Sequence, residues 1–477
     1  MKSTSHNFKN NVHKALADDG LQSALKNARR GFVDKRRAAM DALPEFEAIR
    51  QAAIEIKQHS LAHLEQYLTQ FETQVNNNGG QVHWAESPSQ ATKIITELCK
   101  SVAAKKITKG KTMVGEEIGV NEAILAQGMQ PVETDLGEYI IQLAKEPPSH
   151  IIAPAVHKSR KQIADLFHAH HAELGYDQPL EDPQAIVNEA REILRKEYVE
   201  ADVGITGANL LIAETGSTVI VTNEGNGDLT ASLPRMHIVI ASIEKVVPTL
   251  EDATTILRLL ARSATGQEIT AYTTFFTGPK RQNDQDGPEQ FHVVLVDNQR
   301  SEMLGNQYRE MLRCIHCGAC LNHCPIYSAV GGHAYGWVYP GPMGAVLTPL
   351  MTGIKEAQHL PQASTFCGRC EEVCPLSIPL PKLLREHRFQ IHEKQVNSPV
   401  SRMALGLWAF AAKRPALYRF LTIISMRLLA VVAGNKHRLS WLPFLGAWTQ
   451  QRDFPAPQGQ TFINSLRAQR KKETAHE

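Results

Sequence analysis

Apolar side chains recur at helical spacing in the first part of the chain, between residues 38 and 68. Spacings of three and four residues place such side chains on one face of a helix. We therefore predict amphipathic helices here, followed by a turn-rich break at the Asn-Asn-Asn-Gly-Gly run of residues 76–80. The apolar positions are Met40, Leu43, Phe46, Ile49, Ile54, Ile56, Leu61, Leu64 and Leu68.

From there to about residue 298, short apolar runs rich in β-branched residues alternate with helical stretches. Ser87 and Pro88 form a helix cap with proline in the first turn, which predicts a helix to about residue 104. Further helices are predicted over 183–199 and 250–263. The predicted strands are 81–85, 150–156, 201–206, 209–214, 217–223, 236–242 and 291–298.

This alternation indicates an α/β domain with a largely buried sheet. The region contains neither the dinucleotide fingerprint GxGxxG nor the phosphate loop GxxxxGKS/T. The pattern thus predicts a fold without indicating a ligand.

The last part of the chain is basic and contains one long apolar stretch, residues 420–434, interrupted by Arg427. Because a spanning helix needs about twenty residues, we expect a buried or interfacial amphipathic helix and no transmembrane segment. Peripheral contact with a membrane or a partner stays open. The final polar residues, 465–477, are predicted to be disordered.

Composition narrows the class of protein. The 477 residues suggest about two to four domains, and 43% hydrophobic with 21% charged residues is ordinary for a globular chain. A formal net charge of +2 gives no reason to expect nucleic-acid binding. The first twenty residues are polar, so we expect no secretory signal and a cytoplasmic location. In that compartment, eight cysteines are more typical of metal sites than of disulfides.

The most closely spaced cysteines follow the pattern C-x2-C-x2-C-x3-C-P, at Cys314, Cys317, Cys320, Cys324 and Pro325. Three thiolates at this spacing wrap a tight loop around one iron–sulfur cluster. In two-cluster ferredoxins the fourth cysteine ligates the other cluster. Structural zinc rarely takes four cysteines packed this closely. The pattern therefore predicts a ferredoxin-type domain.

A second, shortened motif contains Cys367, Cys370, Cys374 and Pro375, with Ser364 where the pattern has its first cysteine. Two complete four-iron clusters need eight cysteines, and the two motifs offer seven. Crosswise ligation would give a complete first set and a second set of three. The first set is Cys314, Cys317, Cys320 and Cys374; the second is Cys324, Cys367 and Cys370.

Several occupants of the eighth position stay open. Ser364, water or a partner's ligand could complete the second [4Fe-4S] cluster, or a [3Fe-4S] cluster could replace it. An open iron could also bind a substrate oxygen.

Outside the motifs, Cys99 is predicted to be a buried structural thiol, because its neighbours are apolar at helical spacing. His316 and His323 either tune a cluster or are solvated loop residues.

Beyond the cysteines, the chain resembles the lactate utilization protein B family over nearly its whole length, including serine in place of the missing cysteine. The matching stretches are KTMVGEEIGVN at 111–121, ETDLGE at 133–138, ITGAN at 205–209, AETGSTVIVTNEGN at 213–226, IEKVVPTLE at 243–251 and TGP at 277–279.

The resemblance implies a domain arrangement. Residues 79–300 would form an LUD domain, similar to the sugar-phosphate isomerase and CoA-transferase fold (NagB/RpiA-like). Residues 301–395 would form the ferredoxin-type domain with two [4Fe-4S] clusters. A helical region over 1–78 and a helical extension over 396–477 would flank them.

The resemblance also implies a role. The chain would be the iron–sulfur electron carrier of a system that oxidises L-lactate to pyruvate, with two partner proteins, one cysteine-rich, and a separate electron acceptor. Two alternatives stay open: that the chain is itself the hydroxy-acid dehydrogenase, or that its clusters sense redox state.

No catalytic residue of the α/β domain follows from the sequence. Gly216 and the Glu-Gly-Asn-Gly turn at 224–227 could offer backbone N–H groups to an anion. Acidic residues near predicted strand ends could supply a base. These are Glu116, Glu117, Asp135, Glu138 and Glu214.

Overall fold

The structure is a computed structural model that describes residues 2–176, 180, 182–434, 438–442, 446–449 and 452–473. The chain divides into two compact units, Met1–Ile391 and His392–Glu477. Each unit is described by itself.

Four helices open the first unit, and the apolar spacing at 38–68 predicted the last two of them and the end of the second. Asp18 caps the second helix by accepting a hydrogen bond from the Leu21 backbone N–H at 2.9 Å. Of the predicted apolar positions, Phe46, Ile49 and Leu61 lie buried in the central core. The helices are α1 Phe8–Leu16, α2 Asp19–Asp41, α3 Phe46–Ala62 and α4 Leu64–Asn77.

In the described residues between 81 and 296, ten strands follow, in two sheets. Six pair in parallel in the order β1-β10-β7-β4-β2-β3, and four form a smaller mixed sheet in the order β8-β5-β6-β9. The expectation of an α/β domain with a largely buried sheet is confirmed, and the structure adds that the larger sheet is parallel. The strands are β1 Gln81–Ala85, β2 Lys106–Lys109, β3 Gln130–Glu133, β4 Val203–Gly207, β5 Leu210–Ile212, β6 Ser217–Thr222, β7 Met236–Ser242, β8 Val246–Val247, β9 Tyr272–Phe276 and β10 Gln290–Val296.

Helices connect these strands and cover the large sheet. Ser87 caps α5 by accepting from the Gln90 N–H, with Pro88 in the first turn as predicted. Thr249 and Asp252 form a reciprocal capping box at the start of α12. The helices are α5 Pro88–Ser101, α6 Met113–Ile118, α7 Val120–Leu125, α8 Leu136–Ala144, α9 Arg160–His171, α10 Pro183–Glu200, α11 Asn226–Ser232, α12 Leu250–Ala264 and α13 Arg300–Leu304.

One predicted strand, 150–156, is wrong. This segment is irregular: the backbone N–H groups of Ile152 and Ala153 donate to His150 Nδ1 at 3.0 and 3.1 Å. Ile151, which is only 1% exposed, and Pro154 are buried, while the other apolar side chains of the segment are half-buried. The apolar residues of 150–156 therefore reflect packing outside a sheet, which is why the segment was mistaken for a strand. Strands β2 and β3, four residues each, escaped prediction because they are too short to show a period.

The cysteine region continues the same unit with short helices. It shares one hydrophobic core with the preceding parts, because Leu321 and Leu376 pack in the cluster that contains Ile49 of α3 and Leu259 of α12. The helices are α14 Ala319–Asn322, α15 Pro325–Val330, α16 Gly341–Met351, α17 Arg369–Glu372 and α18 Leu380–Glu393.

The second unit contains four helices and a two-stranded antiparallel sheet among its described residues. Helix α20 has 19 residues and starts at Pro415, because proline suits a first helical turn. It is longer than the apolar stretch 420–434 on which the sequence prediction rests. Of the two environments expected for this helix, burial is wrong, since Ala433 is its one buried residue, and an interfacial position stays a prediction. By length and composition alone, α20 could cross a membrane. The elements are α19 Pro399–Ala412, α20 Pro415–Ala433, β11 Arg438–Leu439, α21 Gly446–Thr449, β12 Phe454–Pro455 and α22 Phe462–Glu473.

The prediction of disorder for the polar C-terminus is wrong over residues 465–473, which lie within α22. Leu, Arg, Ala, Gln and Lys are good helix formers, so polarity did not preclude a helix. Residues 474–477 lie outside the described part of the chain.

Candidate metal centres and the adjoining cavity

Four thiols converge on one cavity in the cysteine region. Cys314, Cys317 and Cys320 come from the first motif, and Cys374 comes from the second. Gly318 makes the tight turn between them with φ of 75°, where a side chain would be strained. The crosswise set predicted from the spacing is therefore brought together.

The chemistry of this donor set fits a metal cluster. Burial, together with the neighbouring thiols, raises the pKa of Cys314 and Cys320 well above the usual range and that of Cys317 to about 12. No disulfide joins these cysteines. Without a cation such thiols stay protonated, whereas iron favours the thiolate form that ligates it.

Backbone and side-chain donors surround the first thiol set. The N–H groups of His316 and Ile378 donate to the Sγ atoms of Cys314 and Cys374, at 3.4 and 3.5 Å. Arg36 of α2 donates to the carbonyl of Val373 at 2.8 Å, and Arg50 of α3 donates to that of Cys374 at 2.8 Å. The N-terminal helices thus bring two positive charges close to this site.

The remaining three motif cysteines line a second cavity. Cys324, Cys367 and Cys370 surround it, and Ser364 lies in the same wall. The Ser364 Oγ accepts a hydrogen bond from the Phe366 N–H at 3.2 Å. Serine therefore lies close to where an eighth cysteine would complete the set.

The second site is more open than the first. Cys367 is exposed, and the backbone N–H of Arg369 lowers the pKa of its thiol. Burial raises the pKa of Cys370 to about 12. Arg388 packs its guanidinium over the Phe366 ring, 4.1 Å from the centroid, and donates to the carbonyl of Ser364 at 3.3 Å.

Cys99 takes no part in either site. It is fully buried on α5 in the core of the α/β domain. Burial raises the pKa of its thiol to about 12, so it stays neutral, as a structural thiol would.

The two histidines of the first motif have different positions. His323 lies in the wall of the second cavity, and its Nδ1 contacts the Ala319 carbonyl at 2.9 Å. His316 lines the first cavity and also a much larger one in the α/β domain. Its backbone has φ of 54°, and its ring packs against Tyr339 with centroids 5.5 Å apart.

The larger cavity has a volume of about 360 Å³ and lies at the carboxyl ends of the parallel strands. Lys111 follows β2, Asp135 follows β3, Asn209 follows β4 and Lys245 follows β7. In open α/β sheets, this edge is where ligands usually bind. The opposite wall includes β6 and the turn at 223–227.

Opposite charges line this cavity. The Lys111 ammonium donates to the Ile152 carbonyl at 2.5 Å, and that of Lys245 donates to the Ala208 carbonyl. Desolvation, followed by repulsion from Asp135, raises the pKa of Glu224 to about 7, although much of the Glu224 side chain is exposed at the rim. Two neighbouring carboxylates disfavour ionisation of both, which raises the pKa of one of them.

The acidic residues singled out in the sequence separate into different surroundings. Asp135 lines the cavity, whereas Glu116 and Glu138 lie beside the buried Lys109 ammonium, at 2.8 and 3.8 Å. Glu214 accepts from the Leu250 N–H at 3.1 Å, at the start of α12. The suggestion that Gly216 binds an anion is wrong, because its N–H donates to the Ile212 carbonyl at 2.9 Å.

Glu117 belongs to a buried network that joins the α/β domain to the cysteine region. Arg300 forms two 2.8 Å hydrogen bonds to the Glu117 carboxylate and contacts Glu244 at 3.0 Å. The Tyr339 hydroxyl donates to Glu117 at 2.6 Å. Tyr339 is also the residue that packs against His316, so this network supports the loop between the two cavities.

Sequence reasoning missed the residues Lys111, Asn209, Lys245 and Arg300 as functional candidates. The first three lie within stretches that carry the family resemblance, and five of the six stretches contribute to the cavity wall. Their position within these stretches was the signal in the sequence that could have found them. Arg300 lies outside those stretches and carried no such signal.

The chain matches family models for each of its main parts. Residues 68–296 match the LUD domain, and residues 310–378 match the 4Fe-4S dicluster domain. The fold and the cysteine sites thus define a class of protein with an LUD domain followed by an iron–sulfur domain. Residues 386–472 match the model "Lactate utilisation protein B, C-terminal".

Full-length relatives identify the family. The chain is 43% identical to lactate utilization protein B of Lysinibacillus sphaericus, covering 98% of each chain. It is 42% identical to lactate utilization protein B of Bacillus pumilus, covering 99% of each. It is 40% identical to the uncharacterized electron transport protein YkgF of Escherichia coli, covering 97% of this chain and 96% of that one. The chain belongs to the lactate utilization protein B family.

Proposed function

We propose that this chain is the iron–sulfur electron carrier of a cytoplasmic system that oxidises L-lactate to pyruvate. It would act with two partner proteins, one of them cysteine-rich, and pass electrons to a separate acceptor. The observation that carries the proposal is the convergence of seven motif cysteines on two neighbouring cavities, within a chain of the lactate utilization protein B family.

In this proposal Cys314, Cys317, Cys320 and Cys374 hold the first [4Fe-4S] cluster. When bound, such a cluster accepts and releases one electron at a time. Cys317, Cys320 and Cys374 are buried and Cys314 is half-buried, which limits the access of water. The N–H groups of His316 and Ile378 stabilise negative charge on sulfur. Arg36 and Arg50 add positive charge nearby, which favours the reduced state.

The second cluster would be held by Cys324, Cys367 and Cys370, with Ser364 as the fourth protein ligand. Its position in the wall of the same cavity supports this choice over water or a partner's ligand. Substitution of Ser364 by Cys should keep a four-iron cluster with an altered EPR signal. The Ser364→Ala variant should convert it to the three-iron form, and an unchanged signal in both variants would exclude Ser364 as a ligand.

The domain boundaries belong to the same proposal. The LUD domain would extend over 79–300 with the NagB/RpiA-like fold, and the ferredoxin-type domain over 301–395. The six-stranded parallel sheet supports the first assignment. The helical segments 1–78 and 396–477 would be accessory regions, the first of which contributes Arg36 and Arg50 to the cluster surroundings.

The function is tested by anaerobic reconstitution of the chain with its two partner proteins. L-Lactate should then reduce the clusters, and pyruvate should appear in proportion to the electrons transferred. Reduction by glycolate or another hydroxy acid with no response to L-lactate would contradict the assignment of substrate.

A further inference from the structure

The large cavity and the first thiol site share part of their walls. Ile151 and His316 line both, so a molecule in the larger cavity would lie one side chain away from the thiols. His316 is held in this position by its left-handed backbone and by the Tyr339 ring. A site for a redox-active ligand next to a cluster would need this arrangement.

The wall of the cavity contains two positively charged side chains. Lys111 and Lys245 each donate one hydrogen bond to a backbone carbonyl, and an ammonium group has three hydrogens to donate. Lys111 lies in the connection between β2 and α6, and Lys245 lies in the short turn between β7 and β8. They could therefore bind a carboxylate without rearrangement of the sheet.

The same cavity offers acceptors for a hydroxyl group. The carboxylates of Asp135 and Glu224 lie in its wall. An ionised carboxylate only accepts hydrogen bonds, so both groups suit a hydroxyl donor. The wall thus combines donors for an acid group with acceptors for a hydroxyl group.

We propose that this cavity binds a small 2-hydroxy carboxylic acid, with its carboxylate on Lys111 and Lys245 and its hydroxyl toward Asp135 and Glu224. The volume of about 360 Å³ leaves room for ordered water beside so small a ligand. This inference rests on the proposed function for the identity of the acid. It adds that the chain itself binds the substrate, next to the first cluster.

The test is calorimetric titration of the anaerobic, cluster-loaded chain with L-lactate and with pyruvate. The parent chain should bind both, and Lys245→Met and Lys111→Met should each weaken binding at least tenfold. Lys93→Met is the matched control, because this exposed lysine lies on α5 of the same domain and outside the cavity. Its affinity should equal that of the parent.

An EPR measurement shows whether each variant still holds its clusters, and so whether it has folded. L-Lactate should perturb the signal of the first cluster and leave that of the second unchanged, in the parent chain and in Lys93→Met. Absence of both heat and perturbation in parent protein with intact clusters would overturn the inference. If clusters in such protein were still reduced by lactate through the partner proteins, the proposed function would stand and the cavity assignment would fail.

A second, independent inference concerns the exposed face of the C-terminal unit. Helices α19 and α20 contact each other, yet large apolar side chains on both are exposed to solvent. Trp408 is 65% exposed and Val431 is 79% exposed. The exposed set also includes Val400, Met403, Leu405, Leu407, Phe410, Phe420, Leu421, Leu428 and Val432.

The charge of this helix pair indicates what covers it. Residues 399–433 contain five basic residues and no Asp or Glu. An exposed apolar surface whose charged residues are all basic is typical of a surface that lies on anionic lipid. We propose that α19 and α20 dock on the surface of an anionic bilayer. The basic residues are Arg402, Lys413, Arg414, Arg419 and Arg427.

The test is flotation of the full cluster-loaded chain with phosphatidylcholine vesicles, with and without phosphatidylglycerol. Binding should require the anionic lipid, weaken with salt and fall at least tenfold in the double variant Leu407→Glu, Trp408→Glu. Leu125→Glu, which changes an exposed leucine on α7, is the control. Failure to bind anionic vesicles, or retention that resists salt and alkaline carbonate, would overturn surface docking.

Discussion

Arg36 shows how one residue sets the conditions at the first thiol site. Its guanidinium is buried and donates to the carbonyl of Val373, next to Cys374, while the adjacent Arg37 is 68% exposed beside Asp34. The two residues therefore provide a matched comparison of a buried and an exposed positive charge on the same helix.

We expect Arg36→Met to lower the reduction potential of the first cluster by roughly 60 mV, equivalent to about tenfold in the one-electron equilibrium. Loss of a nearby positive charge disfavours the more negative reduced state. An EPR-monitored redox titration measures the change, and Arg37→Met should leave the potential at its parent value. Equal shifts in both variants would contradict a local charge effect.

His237 provides a pH-dependent contribution to stability in the α/β core. It lies on β7 between the rings of Phe276 and Phe291, and its Nε2 contacts the Thr206 hydroxyl at 2.8 Å. Burial lowers its pKa to about 3. Since the unfolded chain binds a proton near pH 6.5, stability should fall as the pH drops below 6.5 toward 3.

The parent chain should therefore lose about 1 kcal/mol more than His237→Gln between pH 7 and 5.5. Denaturant unfolding of the α/β domain, followed at both pH values, measures this difference. Parallel losses in the two proteins would mean that His237 is protonated in the folded state.

At the scale of elements, α16 depends on a close approach that only glycine permits. A Cβ on Gly344 would lie 1.6 Å from the Tyr339 carbonyl oxygen. This tight turn positions Tyr339 against both Glu117 and His316.

Gly344→Ala should destabilise the protein by at least about 2 kcal/mol and reduce its iron content, because the turn must open. Thermal unfolding and iron analysis measure the two effects. Gly406→Ala on α19 is the control, since a Cβ there would meet nothing within 4 Å. Normal stability and iron content in Gly344→Ala would show that the turn is adaptable.

The elements also show what sequence reasoning can and cannot predict. The sequence pattern predicted α10, α12 and strand β7 to within one residue, and the Ser87 cap predicted the start of α5, which ends three residues earlier than expected. The prediction of a strand at 150–156 was wrong, because packing against another region produces the same apolar pattern as packing in a sheet. Lys111 and Lys245 escaped prediction because they are distant in sequence and converge only when the sheet forms.

At the scale of the whole molecule, the two cysteine sites and the cavity belong to one compact unit. The N-terminal helices, the α/β domain and the cysteine region contribute side chains to one hydrophobic core. Arg300, Glu117 and Tyr339 add a buried polar connection between the last two regions. A cluster held by this unit would therefore be sensitive to changes in the α/β domain.

In crosswise ligation, Cys374 of the second motif completes the first site and Cys324 of the first motif completes the second. The most direct measurement is anaerobic EPR, with iron and sulfide counted, on the Cys317→Ala, Cys374→Ala, Cys324→Ala and Cys370→Ala variants. We predict that Cys317→Ala and Cys374→Ala alter one and the same cluster signal, while Cys324→Ala and Cys370→Ala alter the other. If Cys317→Ala and Cys324→Ala altered one signal while Cys370→Ala and Cys374→Ala altered the other, crosswise ligation would be wrong. Parent protein without any cluster would also contradict it.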